Sequence, residues 1–199
     1  MSKFFYPLID NPYRKKDINE AIKVLRSFKI TSGIKTINFQ NNFKKKIKVN
    51  NALMVNSGSS ANLLALQCLI NPYRKKRLKR GDEILIPSLC WSTSLWPIIQ
   101  SGLKPKFVDV EKTTLNIDLK DLKSKITKKT KGILVVHVLG NSTNMNELMK
   151  IKKKHGLYLI EDTCESLGTK FKNKYLGSFG EFSSFSFYSS HQISSGEGG

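Results

Sequence analysis

Gly132-Ile133-Leu134-Val135-Val136-His137-Val138, followed by Met145 to Lys154 and then Tyr158-Leu159-Ile160-Glu161, is the stretch that decides the fold. Two short apolar runs flank a segment of helical periodicity, and a helix of that length suffices to cross between parallel strands. The same alternation repeats upstream. Ala52 to Val55, Glu83 to Pro87 and Lys106 to Val110 read as strands, while Ala61 to Ile70, Trp91 to Gln100 (despite Pro97) and Leu119 to Ile126 read as helices. Asp17 to Phe28 places Ile18, Ala21, Ile22, Leu25 and Phe28 at helical spacing, Phe39 to Ile47 reads as a second helix, and Ser183 to Tyr188 as a further strand. The expected fold is α/β, with a mainly parallel sheet in a three-layer α/β/α arrangement.

At 199 residues, 39% of them hydrophobic, the chain can bury one sizeable core. Met1 to Phe5 leads directly into Pro7, Asp10 and a basic cluster, with no apolar region of the kind a secretory signal needs. Cys68, Cys90 and Cys164 are odd in number and contain no Cys-x-x-Cys pair, so a reducing cytoplasm is the expected location. The formal net charge is +19, carried by short basic clusters at Lys44 to Lys46, Arg74 to Arg80, Lys128 to Lys131 and Lys152 to Lys154. Scattered between apolar runs and lacking interleaved aromatics, they read as solvated surface, with neither nucleic acid nor membrane expected as a partner. Such a field would still attract a negatively charged nucleotide substrate.

Three segments carry chemistry. Ser57-Gly58-Ser59-Ser60 lies between a strand and a helix, where free backbone N–H groups hold a phosphate, although the same serines would also serve as a plain helix cap. It is neither a P-loop nor a Gly-x-Gly-x-x-Gly fingerprint. Leu159 to Ser166 runs from a buried strand into acidic side chains at the strand's C-terminal end, the edge at which parallel sheets bind ligands. Asp162 there suits a protonated ring nitrogen, or equally a surface ion pair. The third segment is Ser183-Ser184-Phe185-Ser186-Phe187-Tyr188-Ser189-Ser190-His191-Gln192-Ile193, closed by Gly196-Glu197-Gly198-Gly199.

In order and content the three segments resemble the fold-type I, pyridoxal-phosphate-dependent nucleotide-sugar aminotransferases of the DegT/DnrJ/StrS type. The resemblance extends from about Lys35 to Gly199 and includes Arg80-Gly81-Asp82-Glu83-Ile84-Leu85-Ile86-Pro87 and Val108-Asp109-Val110. It implies the large domain of the aspartate aminotransferase fold over residues 35–199, preceded by a helical segment over 1–34, with a small C-terminal domain still to come. It implies further that Gly58 and Ser59 hold the cofactor phosphate with Ser186, that Trp91 stacks on the pyridine ring, that Asp162 meets the ring nitrogen, and that Glu165 lies near cofactor or sugar.

At His191 the aminotransferases of this family carry a lysine that forms a Schiff base with the cofactor, and no lysine occurs between Tyr175 and Gly199. Imidazole has no primary amine, yet it moves protons near neutral pH. This departure resembles the family's sugar 3-dehydratase branch. By resemblance, the expected activity is removal of the C3 hydroxyl from a CDP- or GDP-linked 4-keto-6-deoxy sugar with pyridoxamine or pyridoxal phosphate, in deoxysugar or O-antigen-type polysaccharide biosynthesis. The branch recycles its cofactor either with glutamate or through a [2Fe-2S] cluster and a reductase partner, and Cys164 is a candidate cluster ligand or a buried structural thiol. A homodimer is expected of the full-length protein, and the 199-residue chain alone is expected to be inactive. The alternatives are an ordinary sugar aminotransferase and, without catalysis, an inert fragment or polyanion binder.

Overall fold

The computed structural model describes residues 12–199, so the first eleven residues of the expected N-terminal segment lie outside the described residues. Helices α1 (Lys15–Arg26) and α2 (Ile34–Ile47) come first. They are followed by α3 (Gly58–Ile70), β1 (Glu83–Pro87), α4 (Ser92–Gln100), β2 (Lys104–Val108), α5 (Leu119–Lys125), β3 (Thr130–Val136), α6 (Met145–His155) and β4 (Tyr158–Asp162). A small antiparallel hairpin, β5 (Lys170–Phe171) and β6 (Lys174–Tyr175), precedes β7 (Phe182–Ser184).

Five strands form one parallel sheet in the order β2-β1-β3-β4-β7. Side chains alternate across it with the period of two that a strand imposes. Ile84, Ile86, Leu134, Val136 and Ile160 face Leu66 and Leu69 of α3 and Ile98 of α4. Their neighbours Leu85, Ile133, Val135 and Leu159 face Leu122 of α5 and Leu148 and Ile151 of α6. Strands apolar on both faces and helices on both sides are one requirement seen twice, since each Leu or Ile buried this way stabilises the fold by about 1.5 to 3 kcal/mol. Local chemistry sets the helix boundaries. Asp118 accepts from the N–H groups of Lys120 and Asp121 at the start of α5, Asn144 accepts from Glu147 at the start of α6, and Gly156 ends α6 in the left-handed region.

Three sequence expectations require correction. Ala52 to Val55 is extended but forms no strand; Val55 instead exchanges both backbone hydrogen bonds with Gly199, at 2.8 and 3.0 Å. The strand expected over Ser183 to Tyr188 ends at Ser184. Beyond it the chain leaves β4, and Phe187 bonds to Gly198 and Ser195 instead. Phe185 and Phe187 then form a third small core with Ile47 and Phe43 of α2, the Phe43 and Phe185 rings meeting edge to face at 4.9 Å. Helix α2 also begins at Ile34, five residues before the expected Phe39. Among the described residues, no helix is long and apolar enough to cross a membrane.

Candidate active site

The crossover from β1 to β2 runs over one face of the sheet, and the crossovers from β2 to β3 and from β3 to β4 run over the other. The crevice outside the carboxyl ends of β1 and β3 is therefore the place where an open parallel sheet receives a ligand. A cavity of about 740 Å³ lies there, between the N-termini of α3 and α4 and the segment from Ser186 to Glu197. Gly58, Ser59, Trp91, Asp162, Glu165, Ser186 and His191, far apart in sequence, all line it, together with Cys164.

Ser57 caps α3, its hydroxyl accepting the Ser60 N–H at 3.1 Å and its carbonyl accepting the Ala61 N–H at 3.0 Å. That leaves the N–H groups of Gly58 and Ser59 without an acceptor among the described residues, at the electropositive end of a helix of 13 residues. Gly58 must be glycine because the chain passes so close: a Cβ there would stand 2.6 Å from Cys164 Sγ and 3.0 Å from Ser186 Cβ. Ser186 is buried, and its hydroxyl accepts the Tyr188 N–H at 3.2 Å.

Asp162 ends β4 on the α3/α4 side and is 5% exposed. Its Oδ2 accepts from Asn62 Nδ2 at 2.7 Å and Ser94 Oγ at 2.8 Å, and its Oδ1 accepts from the Cys164 N–H at 3.1 Å. A carboxylate has about four acceptor positions, so Oδ1 keeps a free one. Burial first, and then the charge of Asp162, pushes the Cys164 thiol well above the usual range; the same two causes raise Cys90. Trp91 occupies the N-cap position of α4 with its side chain largely bare, 73% exposed. Glu165 accepts the Leu139 N–H at 3.0 Å, and its carbonyl accepts from Gln192 Nε2 at 2.6 Å, which ties the residue next to His191 to the cavity rim. The His191 ring stands 6.3 Å from that of Tyr188, and its nitrogens take no partner among the described residues.

Asn62 and Ser94, the two side chains that fix Asp162, were not legible beforehand, and neither was the presence of Glu197 at the cavity. The signal for Asn62 was its position, a lone amide in the otherwise apolar run Ala61 to Leu66. Glu161, adjacent to Asp162, is not part of the site; it points to the opposite face. The candidate iron–sulfur role of Cys164 is unsupported: no group of three or more side chains that could hold a metal occurs among the described residues.

Residues 12–199 match the model of the DegT/DnrJ/EryC1/StrS aminotransferase family. The chain belongs to that family. Among its relatives is the GDP-4-keto-6-deoxy-D-mannose 3-dehydratase of Escherichia coli O55:H7, 42% identical over 194 residues, which are 98% of this chain and 50% of that protein. A solved structure of the E. coli enzyme with bound hydrated PLP superposes with a TM-score of 0.93 at 42% identity, covering 98% of this chain and 50% of that one. A crystal structure of GDP-4-keto-6-deoxymannose-3-dehydratase with a trapped PLP-glutamate geminal diamine gives the same TM-score of 0.93 at 41% identity, with the same coverage. The chain spans about half the length of these relatives. Within this family the fold is that of the PLP-dependent aminotransferases, and the five-stranded parallel sheet is its recognisable centre.

Proposed function

We propose that this family member supplies the cofactor-binding part of a pyridoxamine- or pyridoxal-phosphate-dependent enzyme that removes the C3 hydroxyl from a nucleotide-linked 4-keto-6-deoxy sugar. One observation carries the reading: the cavity has an imidazole, His191, and no lysine among the described residues that line it. Residues 35–199 are the cofactor domain in this proposal. Residues 12–34, whose helix α1 has no buried residue, are a separate segment in this proposal.

The residues fit the cofactor. Two free N–H groups at the start of α3, with the Ser186 hydroxyl, suit a phosphate. The bare Trp91 ring suits stacking on an aromatic ring, and the free position on Asp162 Oδ1 suits a pyridinium N–H. Asn62 and Ser94 hold that carboxylate in one rotamer, so no reorganisation is needed when the ring arrives. When bound, the cofactor supplies an amine that condenses with the sugar carbonyl and a ring that takes up an electron pair. His191 removes the proton at the cofactor C4′ carbon, and its imidazolium then protonates the departing C3 hydroxyl, which leaves as water. Glu165 keeps the rim beside His191 in place through Leu139 and Gln192.

The glutamate adduct trapped in a relative supports glutamate as amino donor over a reductase partner. Exposed Trp96, Ile99 and Phe107 on α4 and β2 support a homodimer of the full-length protein. A cytoplasmic location follows from the same reading. The test uses the full-length protein with pyridoxal phosphate, glutamate and GDP-4-keto-6-deoxymannose. Release of ammonia with a 3-deoxy sugar is expected, and an amino sugar without loss of the C3 hydroxyl would assign the protein to the aminotransferases instead.

A further inference from the structure

In sequence the basic clusters look scattered, but the topology gathers three of them. In a parallel sheet every segment that precedes a strand arrives at the same edge, opposite the cavity. Arg74 to Arg80 precede β1, Lys128 to Lys131 lead into β3, and Lys152 to Lys154 precede β4, with Lys104 at the start of the outer strand β2 beside β1. These segments touch. The Tyr158 hydroxyl donates to the Lys76 carbonyl at 2.7 Å, Arg74 lies over the Tyr158 ring at 5.8 Å, and the Glu83 N–H donates to the Lys129 carbonyl at 2.9 Å.

Carboxylates do little to neutralise this edge. Asp82 accepts a backbone N–H from Lys79, Glu83 accepts from the hydroxyls of Thr127 and Thr130, and Glu181 pairs with Lys152. Among the described residues, none of the cations from Arg74 to Arg80 has a carboxylate partner. Lys152 to Lys154 complement the C-terminus of α6, where a helix favours cations. Dipole compensation does not account for the loop from Arg74 to Arg80, which lies beyond the end of α3. Beside it a groove of about 640 Å³ opens between Arg77, Lys79 and Arg80 and the end of α4. In the turn that leads from α3 into the loop, Tyr73 is 95% exposed.

We propose that this edge of the sheet docks the protein onto a bilayer surface rich in anionic phospholipid. The Arg and Lys side chains would contact headgroup phosphates, and Tyr73 would sit at headgroup level, where an amphipathic ring is favoured. Single-stranded nucleic acid fits less well, because it needs successive exposed rings and Tyr158 is covered by Arg74. Duplex DNA is read by an element lying in a groove, whereas α3, α4 and α6 present only their C-terminal ends here. Docked this way, the cavity faces away from the membrane, about 17 Å beyond the edge for strands of five residues. Substrate access is left open.

The test is co-sedimentation of the full-length protein with phosphatidylcholine vesicles with and without phosphatidylglycerol, over a range of salt. Salt-sensitive binding only to the anionic vesicles is expected. Each cation removed lowers partitioning about fivefold, so a variant with Lys75→Gln, Arg77→Gln and Lys79→Gln should lose on the order of 100-fold. Lys44→Gln, Lys45→Gln and Lys46→Gln together remove the same charge from the end of α2, beside the Phe185 and Phe187 core. That variant should bind like the parent. Equal losses in the two variants would mean net charge alone and would overturn the proposal. So would an absence of binding at low salt, or tighter binding to duplex DNA at equal phosphate concentration. Circular dichroism of both variants verifies the fold.

Discussion

The two faces of β4 each bury a carboxylate, one residue apart, and the two have opposite uses. On the α5/α6 side, Glu161 is fully buried and accepts from the N–H groups of Gly177, Phe179 and Gly180 at 2.9, 2.7 and 2.7 Å, with His137 Nε2 at 3.4 Å. Its acceptor capacity is consumed, and what it holds is the turn that delivers the chain into β7. On the α3/α4 side, Asp162 has three donors and one free position beside a 740 Å³ cavity. A buried acid marks a ligand site only where acceptor capacity and open space remain together. The back of the strand is scaffold; the front keeps acceptor capacity and space for a ligand.

That contrast breaks most sharply at His191. In the full-length protein His191→Asn should lower turnover by about 10²- to 10⁴-fold while cofactor affinity and thermal stability stay at parent values. A loss of stability with unchanged turnover would reverse the roles of the two regions. Glu161→Ala should do the converse. It strands three backbone donors and one histidine in the interior, so denaturant unfolding should show a loss of about 3 kcal/mol. Gly58→Ala sharpens the comparison on a smaller scale. The new methyl group meets Cys164 Sγ, so cofactor affinity measured by absorbance titration should fall roughly tenfold, about 1.4 kcal/mol. Adding Cys164→Ala should recover part of that loss. No recovery would mean that Ser186 and Phe185 set the limit instead.

The fold was legible where period and length agreed. Glu83 to Pro87 reads as a strand and is one, and the crossover helices start or end within a few residues of expectation, because apolar runs and caps are local signals. Ala52 to Val55 misled because a short apolar run does not state its partner, and here the partner is one distant residue, Gly199. The seven expected site residues converge on one cavity, since motifs at strand ends share an edge in any parallel sheet. Asn62 and Ser94 were missed because they act on Asp162 across 100 and 68 positions of sequence. The basic edge was missed for a similar reason: which clusters adjoin depends on strand order, which composition does not encode.

The smallest expected effect concerns the thiol wedged between the turn at Gly58 and Asp162. Burial, and secondarily the Asp162 charge, holds Cys164 protonated in the folded chain to a pH well above that at which a free thiol ionises, about 8.5. Above that pH the unfolded chain releases the proton and the folded chain keeps it, so the unfolded state binds fewer protons and stability falls as pH rises. One such group contributes a slope of at most about 1.4 kcal/mol per pH unit, confined to the window between the two pKa values. Urea unfolding of the parent and of Cys164→Ala from neutral pH to about pH 10 should therefore show the parent losing stability relative to the variant as pH rises, whatever their offset at neutrality. Asp162→Asn provides the sharper arm. Removing the charge leaves burial as the main cause, so the alkaline loss should persist over a narrower window. An unchanged window would show that Asp162 does not act on this thiol, and would remove the thiol from the electrostatics of the front face.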